Sequence, residues 1–175
     1  MSTAQRGGVV YYTDNGAYLH RIEPSGDTKF VKYCKKEIIS VVFNGNVFAY
    51  TDIDGNFYAY SLSDILNEAG ELTGEPLFFT QGGYTALSTH GSYIYAVKGA
   101  SVLQYDVTQN DFTDFEICDN SASEHRLHGA SQTLLVGDTL YISDNQNSRI
   151  LLYDVSKKSV ENVLPIPTQD TLYLS

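Results

Sequence analysis

The chain has 175 residues, with 11 Lys and Arg against 21 Asp and Glu, so its formal net charge is −10 with the four histidines neutral. This length is sufficient for one buried core, and we expect a single domain over residues 1–175. The negative charge would repel phosphate backbones and anionic lipids, which disfavours nucleic acids and membranes as partners. No segment approaches the ~20 apolar residues that cross a bilayer, and the first residues lack the apolar stretch of a secretory signal.

A fourfold repeat runs through the sequence. Each copy begins at a glycine and consists of a strand, a tight turn and a second strand, and the copies cover residues 8–23, 45–62, 91–107 and 137–155. Asn15-Gly16 and Asp54-Gly55, in the first two turns, are typical of β-hairpins because these residues tolerate positive φ. The repeat therefore predicts four hairpins in series.

Further strands flank each hairpin. Apolar runs at residues 38–43, 84–89 and 131–136 precede three of the copies, and another strand follows every copy. A repeated unit of four antiparallel strands in roughly 40–50 residues is typical of a β-propeller blade. The sequence thus predicts an all-β fold with whole blades at residues 38–80, 84–118 and 131–164, and a fourth blade split between residues 8–33 and 170–175.

The split blade determines how the propeller would close. No apolar strand precedes residue 8, and residues 170–175 form a strand-like hexapeptide, so we expect the hexapeptide to pair with the first blade and remove its free edge. Two arrangements stay open: a four-bladed ring within one chain, or half of an eight-bladed ring in a homodimer that exchanges its closing strands. A propeller completed by a different protein would have the same sequence pattern.

Two copies resemble known propeller repeats. The fourth copy resembles an NHL repeat at residues 140–144, Asn147, residues 149–150 and residues 153–154. The first is similar to a YWTD-type blade at residues 11–14, Leu19, residues 21–22 and Gly26, with Tyr where that family usually has Trp. The resemblance implies a propeller that acts as a binding scaffold; it implies no activity, because a fold does not determine a function.

Blade topology places the turn between the second and third strands of every blade on one face, together with the linkers between blades. The longest linker covers residues 119–129, and long linkers on rigid scaffolds often carry binding groups. The candidate binding residues on this face are Asp54, Asn56, Tyr84, His125, His128, Asp144 and Asn145.

The leading hypothesis is a non-enzymatic protein-binding or assembly module that presents a rigid face to a protein partner or to a second copy of itself. It needs no catalytic residue, metal or cofactor. The first alternative is a metal-assisted hydrolase or lactonase that uses His125, His128 and acidic side chains such as Asp144. The second is a lectin-like propeller that binds carbohydrate, in which a tyrosine such as Tyr84 would stack on sugars.

The two cysteines, Cys34 and Cys118, lie in different predicted blades, beyond the reach of a disulfide. We expect two free thiols and a cytoplasmic location. An insertion at residues 63–70 in the second blade predicts a short helix from Ser63 to Gly70.

Overall fold

A computed structural model describes residues 3–14, 17–34, 36–62, 74–99, 101–109, 111–112, 117 and 126–166. These residues form four antiparallel sheets that follow one another along the chain. The first sheet contains β1 (Thr3–Arg6), β2 (Val9–Thr13), β3 (Tyr18–Ile22) and β4 (Thr28–Tyr33), and the second contains β5 (Ile38–Asn44), β6 (Val47–Asp52), β7 (Phe57–Ser61) and β8 (Phe78–Thr80). The third contains β9 (Tyr84–His90), β10 (Tyr93–Lys98) and β11 (Ser101–Asp106), and the fourth contains β12 (Ala130–Val136), β13 (Thr139–Asp144), β14 (Arg149–Asp154) and β15 (Ser159–Pro165).

Each sheet is an antiparallel meander in which sequence neighbours pair, as in the predicted blades. We call the sheets blades one to four in chain order. The all-β prediction is confirmed for the described residues. The fourth strand predicted for blade three lies mostly outside the described residues. The helix predicted at residues 63–70 lies wholly outside them.

We predicted that residues 170–175 would pair with the outer side of β2 and so complete blade one. This prediction is wrong, because another strand occupies that edge. β1 pairs with β2, with Thr3 opposite Tyr12 and Arg6 opposite Val9, so the N-terminal residues themselves occupy the free edge of the first hairpin. Residues 170–175 lie outside the described residues. Blade one is therefore a complete four-stranded sheet without them.

The strands alternate apolar and aromatic side chains between two faces of each blade, because successive residues of a strand point to opposite sides. We call the side that packs on the next blade along the chain the forward face, and the opposite side the rear face. In β6, Ala49 lies on the forward face and Tyr50 on the rear face, and both are buried. A central strand that is buried on both sides is expected where a sheet is packed between two others.

Three apolar cores join the blades. The first joins the forward face of blade one, through Tyr11 and Leu19, to the rear face of blade two, through Phe48, Tyr50 and Tyr60. The second joins the forward face of blade two to the rear face of blade three, and the third joins blade three to blade four in the same way. Every junction thus follows one rule: a forward face packs on a rear face.

The first strands of the blades pack side by side in the order β1, β5, β9, β12. Within the described residues no comparable packing joins β1 to β12. The described blades accordingly form an open row with two ends, and the ring of four blades within one chain is not seen among the described residues.

Two turns after third strands are built on the same aspartate motif. Asp106 accepts hydrogen bonds from the backbone N–H and hydroxyl of Thr108, and Asp154 accepts them from the backbone N–H and hydroxyl of Ser156. The hydroxyl of Ser156 is the main reason that the pKa of Asp154 lies well below its usual value, and the backbone N–H of Lys157 adds to this. These turns are local Asx turns, in which the side chain of an aspartate accepts hydrogen bonds from the residues that follow it.

Candidate functional site

The turns between second and third strands lie at one end of the blades, and the linkers between blades pack against them. The N–H of Tyr84 donates to the carbonyl of Gly55 at 3.0 Å, and the N–H of Gln146 donates to the carbonyl of His128 at 3.1 Å. We call this surface the turn face. It gathers six of the seven predicted binding residues; the seventh, His125, lies outside the described residues.

Asp52 organises the turn of blade two from within. Its Oδ1 accepts the N–H groups of Asp54 and Asn56 at 3.0 and 2.9 Å, and its Oδ2 accepts the side-chain amide of Asn56 at 2.8 Å. Asn56 is therefore held by the turn and does not extend freely from the face. Asp54 is half-exposed and forms an ion pair with Lys36 at 2.8 Å, and this hydrogen bond raises the pKa of Lys36.

Asp144 occupies the same place in blade four and is fully buried. Its Oδ1 accepts the N–H of His128 at 2.8 Å, and its Oδ2 accepts the amide of Asn147 at 2.7 Å and Nε of Arg149 at 2.8 Å. Arg149 also donates to the carbonyl of Arg126 at 2.7 Å, which ties the linker to the turn. Asp144 thus serves as an internal anchor for linker and turn.

His128 and Asn145 lie on the exposed side of this anchor. The Oδ1 of Asn145 accepts the hydroxyl of Ser143 at 2.7 Å, and the backbone N–H of Asn145 donates to the carbonyl of Gly129 at 3.3 Å. Of the predicted residues, these two and Asp54 are the ones placed to meet a ligand from solvent.

Tyr84 is part of the core. Its side chain is fully buried, its hydroxyl is 2.8 Å from that of Tyr105, and Nζ of Lys98 lies 5.0 Å from the centre of its ring. A ring buried in this way has no free face for stacking on a sugar or a peptide. Tyr84 occupies the first position of β9, which in β5 and β12 is held by the buried residues Ile38 and Ala130.

The geometry gives little support to a metal centre at Asp144. Both of its carboxylate oxygens already accept hydrogen bonds, one of them from a guanidinium, and a cation there would have to displace Arg149. Among the described residues no three His, Cys, Asp or Glu side chains are grouped closely enough to hold a metal ion.

Cys34 carries a free, buried thiol in the core between blades one and two. Burial raises the pKa of Cys34 to about 11, although a hydrogen bond with Tyr50 opposes the shift. The thiolate, which is the reactive form, is therefore scarce near neutral pH. Cys118 lies outside the described residues.

A cavity of about 340 Å³ opens at the other end of the blades, between blades two and three. The β5–β6 turn, with Asn44, Gly45 and Asn46, forms one wall, and Val107 and Thr108 form part of the other. Asn44 donates its side-chain amide to the carbonyl of Tyr93 at 2.9 Å and so links the two blades. The described residues that line this cavity include no ionisable side chain, so they offer no acid or base.

The forward face of blade four is an exposed apolar surface that is not among the sites predicted from the sequence. Leu134 on β12 is 63% exposed, and Val136, Leu164 and Ile166 are also exposed. A groove of about 230 Å³ on the same face is lined by side chains that include Leu134, Tyr141 and Ile150. In blades one to three the position of Ile150 is held by Leu19, Phe57 and Val102, all fully buried against the next blade.

The rear face of blade one is exposed in the same way. Tyr18, Ile22 and Phe30 are each about two-fifths exposed, and His20 packs among them with its ring stacked on Tyr12 at 5.1 Å. The position of Ile22 is held in the other blades by Tyr60, Tyr105 and Tyr153, which are buried against the preceding blade. The sequence carried a signal for both faces, namely apolar residues where a solvent-facing strand would have polar ones.

The fold and the repeat together define the class: the chain is a β-propeller repeat protein whose blades resemble those of YWTD and NHL propellers. No protein-family model matches the sequence, and no curated protein matches it. Among solved structures, it is similar to a chain of the nidogen/laminin complex, with a TM-score of 0.68 and 12% identity over 93% of this chain and 62% of that one.

Two further structures have the same fold. Streptogramin B lyase matches with a TM-score of 0.65 and 16% identity, over 96% of this chain and 55% of the lyase chain. BamB from Moraxella catarrhalis matches with a TM-score of 0.61 and 9% identity, over 93% of this chain and 48% of the BamB chain. The chain therefore spans about half to three-fifths of the length of these neighbours. They include a protein found in a protein–protein complex and a lyase, so the fold they share does not separate binding from catalysis. Within the described residues, no helix is long and apolar enough to cross a membrane.

Proposed function

We propose that this chain is a non-enzymatic module for protein binding and assembly. The observation that carries the proposal is the pair of uncovered apolar faces at the ends of the blade row. Large apolar patches on a folded protein mark interaction sites, because leaving them in water costs free energy that a partner recovers. At both ends of the row, positions that are fully buried in the interior blades face solvent.

The turn face supports the same proposal. Asp52 and Asp144 are used to hold turns and linkers, so the exposed groups around them are fixed before any contact is made. A preorganised surface loses little conformational entropy on binding. It offers a protein partner the exposed side chains of Asp54, His128 and Asn145 on a stiff support.

The alternatives have weaker support in the described residues. A hydrolase would need a free carboxylate or an open metal position, and Asp144 is engaged on both oxygens. A lectin would need exposed aromatic rings at repeated sites on the turn face, and Tyr84 is buried. Assembly requires only the faces that the row already exposes.

The experiment is to tag the chain in cells of its source organism and compare the size of the complexes that contain wild-type chain and the Leu134→Asp variant. A charge at Leu134 would have to be desolvated on docking. We expect the wild-type chain to migrate well above its own mass and the variant to shift towards that mass.

Ile53→Asp is the matched control, since Ile53 is 58% exposed but lies on the turn face. It should leave assembly through the ends unchanged. If wild-type and Leu134→Asp chains both migrate at the mass of a single chain, the proposed function is wrong.

A further inference from the structure

The three junctions inside the row define what each end face requires. In every junction the forward face carries the third residue of the second strand and the residue of the third strand that lies opposite the fifth residue of the second, as Tyr95 and Val102 show in blade three. They pack on a rear face whose second strand supplies Leu140 and Ile142. The same two kinds of surface meet each time, and they are built from the same strand positions.

The ends of the row carry one uncovered face of each kind. Blade four presents a forward face with Tyr141 and Ile150 at the positions of Tyr95 and Val102. Blade one presents a rear face with Val10 and Tyr12 at the positions of Leu140 and Ile142. The chain therefore bears both halves of a junction that it cannot form within the row.

We infer that a second copy of this chain covers both ends, with the forward face of blade four in one copy packed on the rear face of blade one in the other. A two-fold axis repeats the contact, so two identical junctions close a ring of eight blades and leave no end face exposed. The inference rests on the proposed function and specifies the partner of the same two faces.

The size of the contact is adequate for a stable dimer. A four-stranded sheet with strands of about six residues covers about 19 by 20 Å, or roughly 400 Å². Two such junctions give each copy about 800 Å², which is the area per partner of a standard protein interface. A single end face would fall short of it, so closure through both ends favours a two-fold ring over an open filament.

The charge distribution also fits self-association. The chain carries a net charge of −10, which opposes contact between copies over most of the surface. The centres of the end faces consist mainly of apolar and neutral polar side chains, with Leu134, Tyr141 and Ile150 on one and Tyr12 and Phe30 on the other. His20 is an exception on the rear face, where it is paired with Asp14 of the same chain.

The experiment measures the mass of the purified 175-residue chain in solution by light scattering after size-exclusion chromatography, over a wide range of concentration. We expect twice the 19.4 kDa of one chain. Leu134→Asp on the forward face and Phe30→Asp on the rear face should each halve the mass, while Ile53→Asp should leave it unchanged. Circular dichroism shows whether each variant keeps its β-structure. If a charged variant does not fold, the neutral variant at the same position, Leu134→Gln or Phe30→Gln, takes its place in the measurement.

Mixing the two charged variants provides a specific test of the head-to-tail contact. Each variant keeps one intact face, so the mixture should form mixed dimers through one native junction. Because that junction has half the contact area of the wild-type ring, we expect the mass to rise above that of either variant alone at the highest concentrations, where the single variants stay monomeric. A wild-type chain that is monomeric at all concentrations overturns the second copy as partner; the proposed function still stands if complexes in cells depend on Leu134. A dimer that survives Phe30→Asp, with its fold intact, overturns the head-to-tail contact.

Discussion

Replacing Asp144 by asparagine tests whether this residue is part of the architecture or part of a binding surface. The carboxylate is fully buried and accepts hydrogen bonds from His128, Asn147 and Arg149. Asparagine keeps the shape and one acceptor oxygen, but turns its amide N–H₂ towards at least one donor, the backbone N–H of His128. It also removes the negative charge of Asp144 from beside the guanidinium of Arg149, in a site where little water can replace it.

The expected cost follows from this geometry. Removing one partner of a buried ion pair costs about 3–5 kcal/mol, because the remaining charge stays desolvated. Arg149 is 15% exposed and keeps its bond to the carbonyl of Arg126, which places the expected loss at the lower end, about 3 kcal/mol. Such a loss is a large fraction of the stability of an ordinary domain.

Urea unfolding followed by circular dichroism and tyrosine fluorescence measures the loss, since the chain has 14 tyrosines and no tryptophan. Asp54→Asn is the matched control, because the exposed ion pair with Lys36 is screened by water and its loss should not move the unfolding midpoint. In the double variant Asp144→Asn with Arg149→Gln, the losses should be less than additive because the two residues interact directly. An Asp144→Asn chain that unfolds at the wild-type midpoint would refute the structural role.

Two further predictions concern a close backbone approach and a pH-dependent turn. In Gly55→Ala the new Cβ would lie 2.8 Å from the backbone N of Gly83, so this variant should unfold at lower urea than Gly45→Ala, which also has positive φ but meets nothing within 4 Å; equal midpoints for the two variants would contradict the clash. The carboxyl of Asp154 has a pKa below its unfolded value of about 3.9, so its charge stabilises the fold above that pH and ceases to do so as the pH falls through the folded pKa. The midpoint of Asp154→Asn should therefore lie below that of the wild type at pH 6 and approach it under acid conditions; a gap that stays constant over this range would contradict the assignment.

The sequence was sufficient to predict the hairpins, because they depend on local chemistry. Asp54-Gly55 supplies the positive φ of the turn, and Gly55 is observed at φ +75°. Alternating aromatic and β-branched residues on either side then direct side chains to both faces of each blade. The same pattern in each copy led to the blade assignment.

The first strand of blade one was missed for a physical reason. Thr3–Arg6 is short and polar, and its side chains are mostly exposed. A first strand in blades two and three needs apolar residues because blades pack on both sides of it, whereas β1 has a neighbour on one side alone. An apolar pattern in the sequence identifies a strand only where another part of the protein covers that strand. The more apolar hexapeptide at residues 170–175 was therefore preferred over Thr3–Arg6 as the first strand of blade one.

The candidate site was partly predictable. Asp14, Asp52 and Asp144 recur at the end of the second strand of three blades, and this recurrence indicates a structural role rather than a binding role. Sequence alone does not show how far each carboxylate is buried, which depends on linkers that pack from outside the repeat. Tyr84 was misjudged in the same way, since a tyrosine at the start of a strand can face solvent or, as here, the core.

The end faces show what the repeat itself requires. A row of stacked repeats is normally terminated by units with a polar outer side, because otherwise the last apolar face would remain in water. Here the end blades keep interior chemistry: Ile150 stands where the inner blades have Leu19, Phe57 and Val102. Neither end has the polar cap that an isolated row would need, so the stability of this fold is coupled to whatever covers its ends. A two-fold ring satisfies both ends with the surfaces that the chain already contains.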